Sequence, residues 1–363
     1  MRIGFLLDGF TGGGTARAAS LLGNAWEKAG LHEAFALAYT RDGLPDAYQT
    51  DFPVEYAYQD HPSMRKAILQ RHYLARVRDF VSRHAVQAVI ACGAQYFPIA
   101  VWAAKRMNVR SVCWEHTAPE RTGDFRFQGL CRKIGGWYSD CNVVLTRAAL
   151  VSYERMFPCR RIVQIYHPAP PTLLARRRPY SAESKRIISV GRLCEAKDFE
   201  RLIRVAREAL RGHRDWTWDI FGEGEKRQTL EALILEAGLQ GQVTLRGQAP
   251  DLYDRYGDYA CLVMTSRYEG FPMALLEGAA AGLPLLAFDV PTGPGEIIEN
   301  GVNGYLCDPG SDGEMIAGLR ALMEDAGLRQ RMAEESLRVG GRFSMEAALA
   351  SWEQALEALS GEK

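Results

Sequence analysis

The sequence predicts an α/β protein made of two successive Rossmann-like domains. Short apolar runs alternate with segments of helical period along the whole chain, which is the pattern of parallel sheets covered by helices. The chain has 363 residues, and because a single hydrophobic core stops growing at about 250 to 300 residues, two domains are expected. The alternation starts again near residue 186, after a stretch rich in proline, arginine and small polar residues.

Each half of the chain carries its own set of strands and helices. In the first half we predict strands at RIGFLL, FALAY, AVIAC, SVCWEH and NVVLT, with helices over 16–29 and 63–84. In the second half we predict strands at RIISVG, TWDIFG, VTLRG, YACLVMT and PLLAF, with helices over 199–210, 226–237 and 273–281. The predicted domains are residues 1–170, a linker over 171–185, residues 186–335, and a C-terminal helix over 336–363 that packs back onto the first domain.

Composition and charge narrow the class of protein. The chain is 47% apolar and 24% charged, with no low-complexity tract, as in folded globular proteins. The net charge is zero, but residues 1–178 carry 24 Lys+Arg against 14 Asp+Glu and residues 179–363 carry 20 against 30. The basic first half indicates an anionic partner, for which nucleic acid, an anionic membrane surface and a phosphorylated acceptor are candidates. The alternative is a basic solvated face without a partner.

Cysteine use and the apolar segments indicate the compartment. The eight cysteines contain no C-x-x-C pair, and most lie in apolar runs, where free cysteine packs as a small hydrophobe. We therefore expect a reducing, cytoplasmic environment. The start MRIGFLLDGFTGGG is interpreted as a strand entering a glycine loop rather than a signal peptide, and no segment reaches the ~20 apolar residues of a membrane span.

Two cations follow a strand in the passage SVGRLCEAKDFERLI. Gly191 and Arg192 lie just past the predicted strand, and Lys197 precedes the next helix. In open parallel sheets ligands bind outside the carboxyl ends of the strands. Arginine offers a bidentate fork to phosphate oxygens and lysine a point charge, so together they can neutralise a diphosphate. The alternative is a pair of solvated loop charges.

Two glutamates eight residues apart enclose a turn in SRYEGFPMALLEGAAAGLP. Glu269 precedes the turn, and Met273 begins a helix whose first backbone amides lack partners, which makes its N-terminus an anion site. Glu277 lies in the second turn among Ala, Leu and Gly. A carboxylate in such surroundings needs a polar partner, and ribose hydroxyls are suitable. The alternative for Glu277 is an ordinary solvated helix glutamate.

Five motifs in order resemble the retaining family 4 glycosyltransferases of the GT-B fold. They are TGGG, WEHTAPE, SVGRL with the following lysine, FGEGE, and YEGFPMALLEGAAAGLP, and they span nearly the whole chain. The resemblance implies α/β GT-B architecture with two Rossmann-like domains facing each other across a cleft, the first on the acceptor side and the second binding a nucleotide sugar. The segment VPTGPGEIIENGVNGYLCDPG, with Gly293, Pro294 and Glu296, is similar to bacterial polysaccharide and lipopolysaccharide enzymes that use UDP-hexoses.

The resemblance also implies residue roles. Arg192 and Lys197 hold the donor diphosphate, Glu277 the ribose, and Glu269 the hydroxyls of the donor sugar. His116 lies beside the transferring sugar, with Glu115 and Glu120 as alternatives for a polar role in that loop. The remaining donor-binding positions are backbone ones, where a missing Cβ permits close approach in the glycines: Gly12, Gly13, Gly14, Gly191, Gly222, Gly270, Phe271, Pro272 and Met273.

The reaction implied is transfer, with retention, of a hexose or N-acetylhexosamine from a nucleotide diphosphate sugar, with UDP as the expected nucleotide. The acceptor is a glycan or a lipid-linked glycan of cell-surface polysaccharide or lipopolysaccharide synthesis. No cofactor and no metal are expected, because the two cations and the helix N-terminus supply the positive field and no His/Asp cluster has metal spacing. Nucleic acid is not an expected partner.

The segment MRKAILQRHYLARVRDFVSRH suggests where a membrane partner binds. It is compatible with an interfacial amphipathic helix on an anionic membrane, which would place the protein peripherally on the inner face of the cytoplasmic membrane. The alternative is a core-packed helix with a charged outer face. The mixed basic and apolar residues are Arg65, Lys66, Arg71, Arg76, Arg78 and Arg83 with Leu69, Tyr73, Val77, Phe80 and Val81.

Three other functions fit two Rossmann-like domains. A dinucleotide-dependent oxidoreductase is disfavoured because TGGG lacks the G-x-G-x-x-G register and no acidic residue is suitably placed ~20 residues later. A sugar-nucleotide epimerase of the same fold would bind a UDP-sugar without an acceptor. A non-catalytic sugar-nucleotide-binding protein is disfavoured by the intact set of Arg192, Lys197, Glu269 and Glu277.

Overall fold

The computed structural model describes residues 1–41, 46–59, 67–118, 125–249 and 251–360. It contains two compact units, Met1–Pro168 with Met345–Lys363, and Ala169–Ser344. Arg65, Lys66 and Glu120, named above, lie outside the described residues, as does the side chain of Leu69.

The first unit is built on a seven-stranded sheet in which every pairing is parallel. Its central strands are almost entirely buried because both faces are covered. The strands are β1 (Arg2–Leu7), β2 (Glu33–Thr40), β3 (Val54–Tyr58), β4 (Ala88–Cys92), β5 (Arg110–Trp114), β6 (Cys141–Val144) and β7 (Ile162–Gln164). The helices between them are α1 (Gly14–Ala29), α2 (Ala67–Arg83), α3 (Phe97–Met107), α4 (Phe125–Tyr138) and α5 (Arg147–Met156). The sheet order β3-β2-β1-β4-β5-β6-β7 reverses direction between β1 and β4.

The second unit has a six-stranded parallel sheet. Its strands are β8 (Arg186–Val190), β9 (Thr217–Phe221), β10 (Val243–Gly247), β11 (Cys261–Met264), β12 (Leu285–Phe288) and β13 (Gly304–Cys307). Its helices are α6 (Pro171–Arg176), α7 (Phe199–Ala209), α8 (Arg227–Glu236), α9 (Leu252–Arg255), α10 (Met273–Ala281), α11 (Pro294–Ile297), α12 (Asp312–Glu324) and α13 (Ala326–Gly340). The order β10-β9-β8-β11-β12-β13 reverses between β8 and β11. The parallel α/β fold predicted from the sequence is thereby confirmed.

The last helix, α14 (Met345–Ser360), clusters with the first unit. Trp352 packs edge to face against Trp26 and Trp114, with ring centroids 5.8 and 4.9 Å away. Glu353 accepts a hydrogen bond from the Trp26 indole and lies 3.0 Å from His32 Nε2. The segment that joins the first unit therefore begins at residue 345, whereas the sequence placed its start at 336. Residues 171–185, predicted as a linker, contribute α6 and cluster with the second unit.

Helix α2 is a core-packed helix with a charged outer face. Tyr73, Val77, Phe80 and Val81 are buried in the apolar core of the first unit. The basic residues Arg71, Arg76, Arg78 and Arg83 are exposed. Because its apolar face is occupied by the core, the described part of α2 has no apolar face to place in a membrane. No described helix of the protein has the length and apolar content of a membrane span.

Candidate functional site

The strand-order reversal of the second sheet brings the predicted donor-site segments together. β8 and β11 are hydrogen-bonded neighbours, and the chain leaves their carboxyl ends at Gly191 and Thr265. In open parallel sheets the crevice outside these ends, at the point of reversal, is where ligands bind. Lys197 and Glu269, which are 72 residues apart in sequence, make direct contact there.

Glycine is required where the chain leaves β9, beside the end of β8. The Gly191 amide donates to the Phe221 carbonyl of the neighbouring strand. Gly222 has φ +137°, and a Cβ on it would lie 1.9 Å from the Gly191 oxygen. The two backbones can therefore approach this closely only because residue 222 has no side chain.

The turn that carries Lys197 is tied to the end of β11. Thr265 Oγ1 donates to the carbonyls of Lys197 and Asp198, each at 3.1 Å. Asp198 has φ 48° and caps α7 by accepting from the Arg201 amide. Arg267 Nε donates to Asp198 Oδ2 at 2.9 Å. These contacts fix the lysine-bearing turn to the strand from which the Glu269 loop departs.

The two predicted cations, Lys197 and Arg192, differ in exposure and in partner. Lys197 Nζ lies 2.5 Å from Glu269 Oε1, and their side chains are only 23% and 10% exposed. The Arg192 side chain is 74% exposed, and its Nη2 lies 3.3 Å from Glu225 Oε2. An exposed pair of this kind contributes little energy, so Arg192 can reorient towards a ligand at small cost.

The loop before α10 packs closely against the turn at Thr292 and Gly293. Pro272 is the N-cap residue, and α10 begins at Met273. Gly293 has φ +99°, and a Cβ on it would lie 2.4 Å from Pro272 Cδ and 3.5 Å from the Gly270 oxygen. Thr292 Oγ1 donates to the Glu269 carbonyl, and Phe271 is buried against Phe343. The first amides of α10 have no acceptor within the helix, so its N-terminus is suited to an anion.

Glu277 is buried in the second turn of α10. Only 1% of the residue is exposed, so the solvated alternative is wrong for Glu277. Tyr256, itself buried, donates its hydroxyl to Glu277 Oε2 at 2.7 Å. The carboxylate is thus held in a fixed orientation close to the helix N-terminus.

In the first unit, His116 lies just past the end of β5. Both ring nitrogens are buried and have no hydrogen-bond partner among the described residues. The ring packs 4.4 Å from Trp114 and stacks on His167 at 5.2 Å between centroids. Burial, and secondly the neighbouring His167, hold the pKa of His116 well below its usual value, while burial lowers the pKa of His167 to about 3. Both imidazoles are therefore neutral at physiological pH.

Glu115, the neighbour of His116, has a structural role. Arg132 Nε donates to Glu115 Oε2 at 2.6 Å, and both side chains are almost fully buried. Thr117 Oγ1 donates to Glu115 Oε1 at 2.7 Å. With its oxygens occupied by buried donors, Glu115 is not available to a substrate.

The glycine loop of the first unit owes its glycines to backbone conformation. Gly12 and Gly13 have φ of +152° and +92°, and Gly14 begins α1. A Cβ on Gly12 or Gly13 would meet no atom within 4 Å. The requirement at Gly12 and Gly13 is thus a positive φ rather than internal crowding.

Sequence reasoning missed the residues that hold the site in place. Tyr256, Thr265 and Arg267 position the Glu277 carboxylate and the Lys197 turn, and His167 stacks on His116. Three of these contacts link residues 51 to 69 positions apart in the chain, and the Tyr256–Glu277 contact links residues 21 apart. No local periodicity signals such pairs; the order of the strands in the sheets creates them.

Comparison with known proteins shows similarity to glycosyltransferases. The description "Glycosyl transferases group 1" matches residues 175–338. An uncharacterized glycosyltransferase of Haemophilus influenzae is 26% identical over 356 residues, covering 97% of this chain and 98% of the relative. The amylovoran biosynthesis glycosyltransferase AmsD of Erwinia amylovora is 30% identical over 177 residues, about half of each chain.

A solved structure matches the fold of nearly the whole chain. The crystal structure of a TarM variant of S. aureus, in complex with fondaparinux, α-GlcNAc-glycerol and UDP, superposes with a TM-score of 0.82 at 15% identity. The superposition covers 98% of this chain and 99% of that one. The group 1 model falls on the unit that contains Lys197, Glu269 and Glu277, so this unit is similar to the group 1 glycosyltransferases, and the chain has the GT-B fold.

Proposed function

We propose that this glycosyltransferase moves a hexose or N-acetylhexosamine from a UDP-sugar to a glycan or lipid-linked acceptor in the synthesis of a cell-surface polysaccharide or lipopolysaccharide. We propose further that transfer retains the anomeric configuration and needs no metal ion or cofactor. The observation that carries the proposal is the Lys197–Glu269 pair at the strand-order reversal, in the same loop that leads into α10 and the buried Glu277.

The pairing of Lys197 with Glu269 suggests how the donor is received. A diphosphate competes with the Glu269 carboxylate for Lys197, because charge-assisted hydrogen bonds to phosphate are strong. Glu269 is then released to accept hydrogen bonds from the hydroxyls of the donor sugar. Arg192 turns from Glu225 to the diphosphate, and the amides at the start of α10 add further positive field.

Glu277 takes the ribose in this proposal. Its carboxylate is held by Tyr256 and accepts hydrogen bonds from the ribose hydroxyls. The backbone at Gly191, Gly222, Gly270, Phe271, Pro272 and Met273 surrounds the phosphates and the sugar, which the absence of side chains at the glycines permits. The roles of Gly12, Gly13 and Gly14 remain predictions.

His116 is proposed to hydrogen-bond a hydroxyl of the transferred sugar. Its buried nitrogens without described partners carry an energetic cost that a substrate hydroxyl would relieve. The depressed pKa keeps the ring neutral, so one nitrogen donates and the other accepts. A neutral ring cannot supply the positive charge for the leaving group, which is left to Lys197 and Arg192.

The proposed chemistry balances without an enzymatic nucleophile. The bond between the anomeric carbon and the diphosphate oxygen breaks, and its electron pair leaves with the diphosphate. The acceptor hydroxyl attacks the same face, and its proton passes to the departing phosphate oxygen. The enzyme then has to stabilise the charge that develops in the transition state, on the leaving group and on the oxocarbenium-like sugar. Lys197, Arg192 and the N-terminus of α10 act on the leaving group.

The choice of nucleotide and pathway rests on relatives. TarM was crystallised with UDP, and AmsD is named for the biosynthesis of the polysaccharide amylovoran. These names support UDP as the nucleotide and a polysaccharide as the product.

The experiment is to incubate the protein with a panel of UDP- and GDP-sugars, with and without glycan and lipid-linked acceptors. We expect release of UDP that depends on the acceptor and persists in EDTA, with a product whose anomeric proton signal matches the configuration of the donor. Conversion of the nucleotide sugar to an isomer without acceptor would instead show an epimerase. An inverted product would refute retention, and loss of activity in EDTA that added metal restores would refute metal independence.

A further inference from the structure

Helices α3 and α4 present an exposed surface of aromatic and basic side chains, here called the α3–α4 surface. Its apolar members are Trp102, Leu130, Trp137 and Tyr138, which are 43%, 54%, 50% and 47% exposed. Its basic members are Lys105, Arg106 and Lys133, also exposed. Exposed tryptophans on adjacent helices are uncommon in a solvated protein face and mark an interaction site.

The side chains form one continuous surface. Trp102, Lys105 and Arg106 share a face of α3 because they are three and four residues apart, and Leu130, Lys133 and Trp137 share a face of α4 for the same reason. The two faces meet where Lys105 Nζ lies over the Tyr138 ring, 4.1 Å from its centre. Trp137 and Tyr138 have ring centroids 6.2 Å apart. Aromatic and cationic groups are therefore interleaved rather than segregated.

The charge of this surface has one sign. α3 and α4 together contain five Lys or Arg and no Asp or Glu. Of the four whose side chains the structure describes, Arg132 is turned inward, to Glu115. Within the described part of the chain, Lys105, Arg106 and Lys133 form no ion pair with a carboxylate. The partner that complements this surface is anionic.

We propose that the α3–α4 surface docks on an anionic phospholipid bilayer. Trp and Tyr favour the level of the lipid headgroups, and lysine and arginine extend their charges to the phosphates while their stems lie along apolar surface. A second copy of the chain is disfavoured, because a two-fold contact through this surface would oppose cations to cations. A protein partner is disfavoured because lysine is depleted in protein interfaces, whereas here it is interleaved with the aromatics.

The proposal relocates the membrane contact suggested by the sequence. The described part of the basic helix α2 buries its large apolar residues in the core and exposes mainly charged and polar side chains. The α3–α4 surface offers both components of an interfacial contact, charge and apolar area. None of its residues is part of the proposed donor site, so the inference stands or falls independently of the sugar-nucleotide assignment.

The test is co-sedimentation of the full chain with vesicles of phosphatidylcholine alone and of equal parts phosphatidylcholine and phosphatidylglycerol. We expect binding to the anionic vesicles only. The double variant Arg106→Glu with Lys133→Glu should bind these vesicles at least about tenfold more weakly. Trp102→Ser with Trp137→Ser should also weaken binding at low salt, where a purely electrostatic contact would persist. The matched control, Arg71→Glu with Arg78→Glu on α2, makes the same change of charge on an exposed face of the same unit and should retain most binding.

Four results would overturn the proposal. The unmodified protein could fail to bind the anionic vesicles, or the α3–α4 variants could bind them as tightly as the unmodified protein. The α2 control could lose as much binding as the α3–α4 variants. The unmodified protein could also form dimers without lipid that dissociate in the Arg106→Glu, Lys133→Glu variant, which would assign the surface to a second copy of the chain. UDP binding and circular dichroism of each variant serve as checks that the chain is folded. We expect the α3–α4 variants to bind the anionic vesicles weakly while they retain UDP binding.

Discussion

In the second sheet, strand order reverses between β8 and β11, and there Lys197 meets Glu269 beside the N-terminus of α10. In the first sheet it reverses between β1 and β4, and there Asp8 accepts hydrogen bonds from Tyr96 and Gln95. The loops DGFTGGG and GAQY that leave β1 and β4 contain no Lys or Arg. The same parallel topology thus offers positive charge to a ligand in one unit and a carboxylate with neutral partners in the other.

Topology therefore sets the place where a ligand binds, and the chemistry of the loops sets which ligand it is. A diphosphate suits the reversal in the second unit, where a lysine and a helix N-terminus converge. The first unit offers groups suited to hydroxyls: Asp8, the neutral His116 and a loop of glycines.

Lys197→Ala should have the largest effect. Removing the partly buried positive charge that is proposed to face the diphosphate should lower kcat/KM for the nucleotide sugar by about 100- to 1,000-fold, the range seen when a preorganised charge-stabilising group is lost. Steady-state UDP release measures it. Lys185→Ala is the matched control, because Lys185 pairs with Asp215 on an exposed part of the same unit. Activity near the unmodified level in Lys197→Ala would refute the assignment of the diphosphate.

Glu277→Gln should chiefly weaken donor binding. The amide keeps the volume and an acceptor for Tyr256 but loses the charge, so KM for the donor should rise about 10- to 100-fold with a smaller change in kcat. Glu236→Gln, an exposed position on α8, serves as the control. A fall in kcat with KM unchanged would show that Glu277 acts in the chemical step rather than on the ribose.

The stacked histidines should make the first unit sensitive to acid. The pKa of His167 is lowered in the folded protein, so the unfolded chain binds a proton that the folded chain does not as pH falls below about 6.5. The stability present above that pH is therefore lost on acidification, by about 1.4 kcal/mol per pH unit for each such histidine, until the pH nears 3 for His167.

Urea unfolding at pH 7, 6 and 5 measures this slope. His167→Gln should flatten it by about 1.4 kcal/mol per pH unit between pH 6 and 5. His213→Gln, at a partly exposed position in the second unit, should leave it unchanged. An unaltered slope in His167→Gln would mean that His167 is protonated as easily in the folded chain as in the unfolded one.

Tyr256→Phe should have the smallest effect. It removes the hydroxyl that orients Glu277 and keeps the ring, at a cost of about 1 kcal/mol in stability. Donor KM should rise by less than about tenfold. Tyr180→Phe removes a partly buried hydroxyl bond, to the Ala260 carbonyl, in the same unit. Equal stability loss in both variants with a KM change only in Tyr256→Phe would assign Tyr256 as a positioning residue.

Some of this organisation could be predicted because its signals are local. Strands β1, β4 and β10 and helix α10 begin and end where predicted, and α10 is bounded by Pro272 at its N-cap and Gly282, with φ +81°, at its C-cap. Both residues act through their own backbone conformation. Lys197 and Glu269 could be predicted because each lies in the loop between a strand and the next helix.

The rest depends on tertiary structure. From the sequence, Arg192 and Lys197 have the same predicted role at the diphosphate. In the structure only Lys197 is partly shielded from solvent, because the strand order brings Glu269 next to it. His167 carries no local signal, and its stacking on His116 depends on the packing of the first unit. Trp102 and Trp137 lie in helices that have apolar residues on both faces. The exposed side of such a helix cannot be deduced from its sequence.

The most direct measurement is the affinity of the protein for UDP and for uridine, determined by calorimetry for the unmodified chain and for Lys197→Ala. If the diphosphate lies at the reversal between β8 and β11, UDP binds far more tightly than uridine, and Lys197→Ala removes most of that difference while leaving uridine affinity intact. Equal loss of affinity for both ligands, or a preserved preference for UDP in Lys197→Ala, would contradict a diphosphate site at Lys197.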